Sequence, residues 1–293
     1  NVTAASSNSL TVSASAVTGN GNVGSTHTFG DNTYWSGVTD TDWATATNWC
    51  NAVPTSTDNV IIPGAAFVPN QPTITALDAA ECANITINAT ATLTLDGSSN
   101  LDLYGDWINN GTLVHNTGKI SFRGSADQTV TGGATETFYD IDIKKIAGPG
   151  TVNFLAPTTS AVMNDLTFKN TNTGHFNAPQ TLSLTQSADA DMIMEAGNIG
   201  DLTAGTTINI NDDWENNNLA ADFVFGTSTV NFQGAGSAQV IGGTVATQSF
   251  YHVTLSGAGT NIQMDSHLDI DGNLTIGDDT DLDAATNTRN ITI

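Results

Sequence analysis

Three tryptophans near the beginning of the chain are the first side chains that could bind a ligand. Trp35, Trp43 and Trp49 lie within 15 residues of one another, and the whole sequence contains only five tryptophans. If their flat faces were exposed, they could stack on sugar rings and form a glycan-binding site. Buried tryptophans instead pack into a core in which each indole N–H finds a partner. The sequence leaves both interpretations open: a sugar platform, or a small core that caps the first coil of a repeat fold.

Acidic residues near the C-terminal end form the second group with ligand chemistry. Asp278, Asp279, Asp281 and Asp283 offer carboxylate oxygens, which are ligands that Ca²⁺ prefers. Their spacing matches neither the EF-hand loop nor the calcium-binding nonapeptide repeat. The alternative is an acidic face that is simply exposed to water. We expect no cofactor, with calcium as the one alternative.

Residues suited to catalysis are sparse and poorly spaced. The chain has six Lys and Arg residues and five His residues, and no two histidines have the i, i+4 spacing of a metal-binding helix. It contains no Gly-x-Ser-x-Gly elbow, phosphate-binding loop or Cys-x-x-Cys pair. The carboxylates of a polysaccharide-degrading enzyme could still be hidden among the 29 acidic residues. We expect no enzymatic activity, with polysaccharide degradation as the less favoured alternative.

The two cysteines indicate the compartment. Cys50 and Cys82 are an even pair in an acidic, glycine-rich chain, which is typical of an oxidising extracellular setting. A disulfide between them would remove about 3–4 kcal/mol of unfolded-chain entropy. The alternative is two buried free thiols. We expect the disulfide and an extracellular or cell-surface location.

The charge of the chain excludes two classes of partner. With 29 acidic and 6 basic residues, the formal net charge is −23, which repels nucleic acid and anionic lipid. No apolar stretch approaches the roughly 18 residues of a membrane-spanning helix. We expect neither nucleic-acid binding nor membrane insertion.

Short runs in which two apolar residues flank a polar one predict the elements that would position these side chains. This two-residue period is the signature of a strand with one buried face. The runs are Ile85–Ile87, Leu93–Leu95, Leu101–Leu103, Ile120–Phe122, Ile141–Ile143, Val152–Phe154, Leu166–Phe168, Leu182–Leu184, Ile208–Ile210, Val230–Phe232, Val253–Leu255, Leu268–Ile270 and Leu274–Ile276. Regular short strands fit either a sandwich or barrel, or a β-solenoid.

An internal repeat of about 110 residues favours the solenoid. The matching pairs are Trp107 with Trp214, Phe122 with Phe232, and Phe138 with Phe250, at separations of 107, 110 and 112 residues. We expect these six residues to be structural. Three-residue runs suit a β-helix coil, and Asn, Thr and Ser can stack from coil to coil. The predicted fold class is all-β: a right-handed parallel β-helix with a Trp-rich, disulfide-linked N-terminal cap or first coils. Stacked sandwiches are the alternative.

Composition divides the chain into three predicted parts. Residues 1–30 are rich in Ser, Thr, Asn and Gly and predict a linker or the tail of a preceding module. Residues 31–95 contain the Trp and Cys residues of a first module, and residues 96–293 form the solenoid with its repeat. The last residues read as a strand, so we expect the solenoid to be truncated at its C-terminal end.

One series of residues forms a recognisable pattern along the chain. It consists of Trp35, Gly37, Asp42-Trp43, Asn48-Trp49-Cys50, Val53-Pro54, Asp58, Val60, Ile62-Pro63, Gly105-Asp-Trp107, Asn110-Gly-Thr112, Ile120–Phe122, Gly124, Gln128, Gly132 and Phe138. Through this pattern, most of the chain, from about Tyr34 to Ile293, resembles a module of very large secreted surface proteins of Bacteroidetes. Such proteins typically leave the cell by type IX secretion, and some are adhesins that act in gliding motility. The resemblance implies pairing of Cys50 with Cys82. The second repeat departs from the pattern at 216–218, where three Asn residues follow Trp214 and Glu215.

Together these observations predict a non-catalytic structural and adhesive segment that acts as a rigid stalk or spacer. The expected partners are other modules of the same long chain, and cell-surface or environmental polysaccharide. The alternative function is glycan binding by the N-terminal Trp cluster.

Overall fold

Short strands stack on one another from each turn of the chain to the next. The computed structural model describes residues 32–146, 150–169, 175–195, 205–217, 225–234, 238–257, 259, 261–284 and 288–293. The described residues are all-β, with about 46% of them in strands, and they wind into a parallel β-solenoid of about nine turns. The described residues include no α-helix, and one short 3₁₀ helix spans Ala46–Asn48.

The described strands form five sheets, and all their pairings are parallel. Sheet 1 contains β1 (Asn32–Tyr34), β2 (Asn59–Ile62), β5 (Ile85–Ile87), β8 (Trp107–Asn109), β11 (Gln128–Thr131), β14 (Thr151–Phe154) and β17 (His175–Asn177). Sheet 2 contains β4 (Ala80–Cys82), β7 (Asn100–Leu103), β10 (Lys119–Phe122), β13 (Asp140–Ile143), β16 (Leu166–Phe168), β19 (Met192–Met194), β21 (Trp214–Asn216), β23 (Ala238–Gly242), β26 (Asn261–Met264) and β29 (Asp281–Asp283).

The remaining sheets complete the walls. Sheet 3 contains β3 (Thr73–Ile74), β6 (Thr92–Leu95) and β9 (Thr112–Val114). Sheet 4 contains β12 (Thr135–Thr137), β15 (Ser160–Met163), β18 (Thr181–Leu184), β20 (Thr207–Ile210), β22 (Thr229–Phe232), β25 (His252–Leu255) and β28 (Leu274–Ile276). Sheet 5 contains β24 (Thr247–Phe250), β27 (His267–Ile270) and β30 (Ile291–Thr292).

Most apolar residues of the predicted runs stack in columns inside the solenoid, whereas Ile276 of the last run is 50% exposed. Each predicted run lies within a strand. In sheet 4, Leu182 lies in register with Ile208, and Ile208 with Val230. All three side chains are buried. Because alternate residues of a strand point to opposite faces, the polar residues between them point outward.

Outward-facing polar residues form a parallel column on the same sheet. The Asn209 amide donates to Ser183 Oγ at 3.2 Å, and the Asn231 amide donates to Asn209 Oδ1 at 3.1 Å. Ser256 continues the column with a hydroxyl that donates to Asn231 Oδ1 at 2.7 Å. The expected coil-to-coil stacking of small polar residues is therefore present, on the strand faces.

The predicted repeat is visible in the local packing, but its two copies occupy different walls. Trp107 contacts Phe138 with ring centroids 5.6 Å apart, and Trp214 contacts Phe250 at 5.0 Å. However, Trp107 lies in sheet 1 and Trp214 in sheet 2. The equivalent Phe122 and Phe232 likewise lie in sheets 2 and 4, and all these residues are buried. One repeat therefore does not correspond to a whole number of turns.

The three clustered tryptophans form a buried core at the N-terminal end of the described solenoid. Trp49 lies edge-on to both Trp35 and Trp43, with ring centroids 5.0 and 4.7 Å apart. The exposed fractions of Trp49, Trp35 and Trp43 are 5%, 1% and 1%, respectively. The backbone of this segment pairs with β3, since Trp43 N–H donates to Thr73 O at 3.0 Å. The segment thus covers one edge of sheet 3 and leaves no indole face open to a sugar ring.

The expected disulfide does not form in the structure. Cys50 and Cys82 are both free thiols. Cys82 lies in β4 with its side chain fully buried in the core, and burial raises its thiol pKa far above the ordinary value. Cys50 is only half-buried, and its N–H donates to Tyr34 O beside β1. The cap is held by packing and backbone hydrogen bonds, which corrects the prediction of a disulfide-linked cap.

The predicted linker at residues 1–30 lies outside the described residues. Sheet 1 runs without interruption from β2 through β5 to β8, and therefore crosses from residues 31–95 into residues 96–293. The first predicted module shares its sheet and its core with the solenoid that follows. Among the described residues, no helix is long and apolar enough to cross a membrane.

Replacing a stacked core residue should destabilise the whole solenoid. Leu182→Ala removes a fully buried side chain from a continuous column, and we expect it to cost about 2–5 kcal/mol of unfolding free energy. Leu77→Ala is the matched control because Leu77 is 95% exposed, and we expect it to change little. Urea denaturation followed by far-UV circular dichroism measures both. Equal urea midpoints for Leu182→Ala and Leu77→Ala would contradict a core that is shared between successive turns.

Candidate functional site

One cleft opens in the wall of the solenoid, between β9 and β12. β9 is the last strand of sheet 3 and β12 is the first strand of sheet 4, so these two strands do not pair with each other. The cleft has a volume of about 440 Å³. Besides glycines and Glu136, its lining consists of Asn109, Asn110, Thr112, Leu113, Thr135 and Thr137. The cleft is therefore a polar break in an otherwise laddered wall.

Glu136 forms the base of this cleft and is only 3% exposed. Its Oε2 accepts hydrogen bonds from Trp107 Nε1 at 3.2 Å and from Asn109 Nδ2 at 3.0 Å. Its Oε1 accepts one from Gly133 N at 3.0 Å. Glycine at position 132 leaves room for this carboxylate, because a Cβ there would lie 1.8 Å from Oε1 and would displace it. The carboxylate thus clamps two successive turns together where backbone pairing is absent.

The environment of the Glu136 carboxyl shifts its pKa in two opposing ways. Removal of the Glu136 carboxyl from water raises its pKa, whereas the hydrogen bonds from Asn109, Trp107 and Gly133 lower it. The net direction is upward. Glu136 already accepts three hydrogen bonds within the protein. We therefore attribute its raised pKa to the desolvation of a structural carboxylate.

The second repeat performs the same role with a neutral side chain. Gln248 stands where Glu136 does, and its Oε1 accepts the Trp214 Nε1–H at 3.3 Å. Its Nε2 donates to Gly242 O at 3.1 Å. An amide can therefore replace the carboxylate in holding the tryptophan, which indicates that a negative charge at Glu136 is not needed for this contact.

A column of aspartates runs along sheet 2. The carboxylates of Asp140, Asp165, Asp191 and Asp213 each accept a backbone N–H from the following turn. The donors are the N–H groups of Asp165, Asp191, Asp213 and Val240, at 3.3, 3.1, 2.9 and 2.6 Å. An equivalent column of Asn59, Asn84 and Asp106 follows sheet 1, where Asp106 N donates to Asn84 Oδ1 at 2.6 Å. These side chains lie at the first residue of a strand or directly before it, and they tie each turn to the next.

Three carboxylates converge where Asp212 stands beside this column. Ligand oxygens of Asp191, Asp212 and Asp213 lie within 4.8 Å of one another, the spacing that a single cation could bridge. Burial and the neighbouring carboxylates raise the pKa of Asp191 to about 6 and that of Asp212 to about 7. This is the group of metal-type ligands that the described residues bring together.

The acids singled out in the sequence do not converge in this way. Asp278, Asp279 and Asp281 are exposed, and Asp283 is half-buried on β29. They form no group of three within ligand distance among the described residues. The sequence drew attention to the densest run of aspartates, whereas the fold brings together acids from successive turns.

Several of the scarce cations are used to balance acids on sheet 2. Lys119 and Lys169 lie 3.3 and 3.9 Å from Asp142, and Arg123 pairs with Asp102. Lys145 is instead buried, with its Nζ 2.5 Å from Gln128 Oε1. Burial lowers the Lys145 pKa to about 8. In the part of the chain that the structure describes, no cation lines the cleft above Glu136.

The column of aspartates and the Glu136 clamp were missed from the sequence, although each leaves a signal. An Asp or Asn stands directly before β5, β8, β16, β19 and β21. Glu136 occupies the same place relative to Phe138 as Gln248 does relative to Phe250. Extending the repeat comparison to the polar positions would have drawn attention to both.

Comparison with known proteins gives a partial match. A family model described as "Domain of unknown function (DUF8693)" matches residues 34–130. The match covers Trp35, Trp43, Trp49 and Trp107 and the turns up to β11, and it includes Asn109 of the cleft lining. No curated protein and no solved structure matches the chain. The molecule is therefore defined by its fold, a parallel β-solenoid, with part of its chain similar to a family of unknown function.

Glu136→Gln should flatten the pH dependence of stability. The folded-state pKa of Glu136 lies above its ordinary value of 4.5, so the folded protein binds this proton more tightly. Stability from this group is therefore lost as the pH rises from about 4.5 through the raised pKa. The substituted amide cannot titrate, so the variant should lose less stability than the wild type between pH 4 and pH 8. Thermal melts across this range provide the measurement, with Glu81→Gln on β4 as control. If the Tm of the wild type and that of Glu136→Gln changed equally with pH, the raised pKa of Glu136 would be contradicted.

Asp212→Asn should stabilise the protein at alkaline pH. Since the Asp212 pKa is raised to about 7, the ionised form costs stability once the pH passes through that value. The side chain is half-buried and partly screened by water, so we expect a modest rise in Tm of about 1–3 °C at pH 8, shrinking towards zero at pH 4. Asp278→Asn, at an exposed turn, is the control. The repulsion between these carboxylates would be ruled out if the Tm difference between Asp212→Asn and the wild type did not change with pH, or if the variant had the lower Tm at pH 8.

Proposed function

We propose that this chain is a non-catalytic structural and adhesive segment of a large extracellular surface protein, in which it acts as a rigid stalk or spacer. The observation that carries the proposal is the uninterrupted stacking of turns. Sheet 2 alone contains ten parallel strands in sequence. At about 4.8 Å per strand, they span roughly 43 Å along the solenoid axis.

The direction of the hydrogen bonds suits a load-bearing spacer. In a solenoid the backbone bonds between strands run along the axis, so tension on the ends is shared by several walls at once. Side-chain columns reinforce them, as in Ser183–Asn209–Asn231 and in the Asp140–Asp165–Asp191 column. Added turns lengthen such a rod without changing its cross-section.

The surface chemistry supports an exposed location. A net charge of −23 keeps the rod from collapsing onto anionic envelopes or other copies of itself. The resemblance to modules of secreted Bacteroidetes proteins supports cell-surface display through type IX secretion, with other modules of the same chain as neighbours. We also propose that the coils wind in the right-handed sense, which parallel crossovers strongly prefer.

Replacing the rod by a flexible chain tests the spacer role. In cells that produce the full-length protein, residues 32–293 are exchanged for a Gly/Ser linker of equal length, which behaves as a random coil. We expect surface display to persist while attachment of the cells falls several-fold. An unrelated β-solenoid of about nine turns is the matched control and should restore attachment. Full attachment with the flexible linker would contradict the proposal, as would antibody labelling of residues 32–293 only in permeabilised cells.

A further inference from the structure

The cleft between β9 and β12 is a local notch in one wall. On the neighbouring walls the same two turns pair directly, through Trp107 with Val130 and Lys119 with Asp140. The turns are therefore held at ordinary strand spacing on both sides of the break. Since an added strand would need about twice that spacing, a β-strand from a partner cannot enter. The notch suits a compact ligand.

The lining selects for a neutral ligand that can make many hydrogen bonds. Asn110, Thr112 and Thr135 expose amide and hydroxyl groups at the rim. The described lining includes no lysine or arginine, so an anionic ligand would find no counter-charge. The one charge among these lining residues, on Glu136, is buried and already accepts three hydrogen bonds. Half-buried Leu113 adds a small apolar surface against which the C–H face of a ring can pack.

The wall of the notch is fixed before any ligand arrives. Asn109 is held from both ends, because its amide donates to Glu136 and its Oδ1 accepts the Gly111 N–H at 3.1 Å. Gly111 itself allows the chain to pass close to the preceding turn, where a Cβ would lie 2.5 Å from Ala91 O. A preformed polar cleft loses little entropy when it binds. Its volume of about 440 Å³ lies within the range of small-molecule sites.

We propose that this notch binds one or two rings of a neutral oligosaccharide, with Asn109, Asn110, Thr112 and Thr135 as hydrogen-bonding residues and Leu113 as the packing surface. The site differs from the buried Trp35–Trp43–Trp49 cluster and does not depend on the spacer function. A failure of either proposal leaves the other standing.

Gly133 offers a way to close the notch without disturbing the clamp. A Cβ at this position meets nothing closer than 3.5 Å, so a larger side chain can project into the opening. Gly133→Trp should fill the cleft, whereas Gly133→Ala should leave it open. Both variants keep the backbone N–H that Glu136 accepts. Thermal melts that match the wild type establish that each variant is folded.

Calorimetric titration with cellohexaose, maltohexaose, xylohexaose and mannohexaose tests the site, with hexagalacturonate as the acidic comparison. We expect at least one neutral hexasaccharide to bind to the wild type. Gly133→Trp should weaken that binding at least tenfold, and Gly133→Ala should change it less than twofold. Thr112→Val should also weaken it, whereas Thr181→Val on β18 should not.

Three results would overturn the proposal. One is the absence of heat with every neutral hexasaccharide, and another is equal affinity of the wild type and the Gly133→Trp variant. The third is stronger binding of hexagalacturonate than of any neutral probe, because an uncharged-ligand site without cations cannot prefer an anion.

Discussion

No single turn of this chain can bury its own apolar residues, because each inward side chain meets mainly the turns above and below it. Leu182, Ile208 and Val230 illustrate the constraint, since each is buried by its partners in register. A shift of one residue would expose the inward column and bury the outward Asn and Ser residues. Register, and with it the whole solenoid, depends on this mutual burial. The N-terminal tryptophans serve the same need where no earlier described turn exists to cover sheet 3.

The same stacking governs the polar side chains and explains their unusual electrostatics. Asp140, Asp165, Asp191 and Asp213 recur at one position of successive turns, so acids that are far apart in sequence come close in space. With few cations available, hydrogen bonds to backbone N–H groups stabilise most of this negative charge. Where Asp212 adds a further carboxylate, burial and repulsion together raise the pKa values. Glu136 stabilises the stacking in a different way, because its buried carboxylate bridges two turns by hydrogen bonds where β9 and β12 do not pair.

The strands with two inward apolar residues were predictable, because the period of two appears directly in runs such as Ile208–Ile210. Strands such as β9 and β12 were not, since Leu113 and Glu136 give only one inward residue each. The repeat was found, but its rotation from wall to wall was not, because sequence spacing does not count strands per turn. Trp43 and Cys82 show the same limit. From the sequence, Trp43 could bind a sugar ring and Cys82 could form a disulfide. Only the buried positions of both side chains in the structure show that they pack in the core.

Cysteine cross-linking at register partners tests the stacking most directly. In a chain with Cys50 and Cys82 replaced by alanine, Ser183→Cys and Asn209→Cys face outward on adjacent strands in register. Their Cα atoms should be about 4.8 Å apart, within the range of a disulfide, whereas positions 183 and 207 are about 8 Å apart. We predict rapid oxidation of the 183–209 pair and little oxidation of the 183–207 pair. Equal cross-linking of both pairs, or preference for 183–207, would contradict the in-register solenoid.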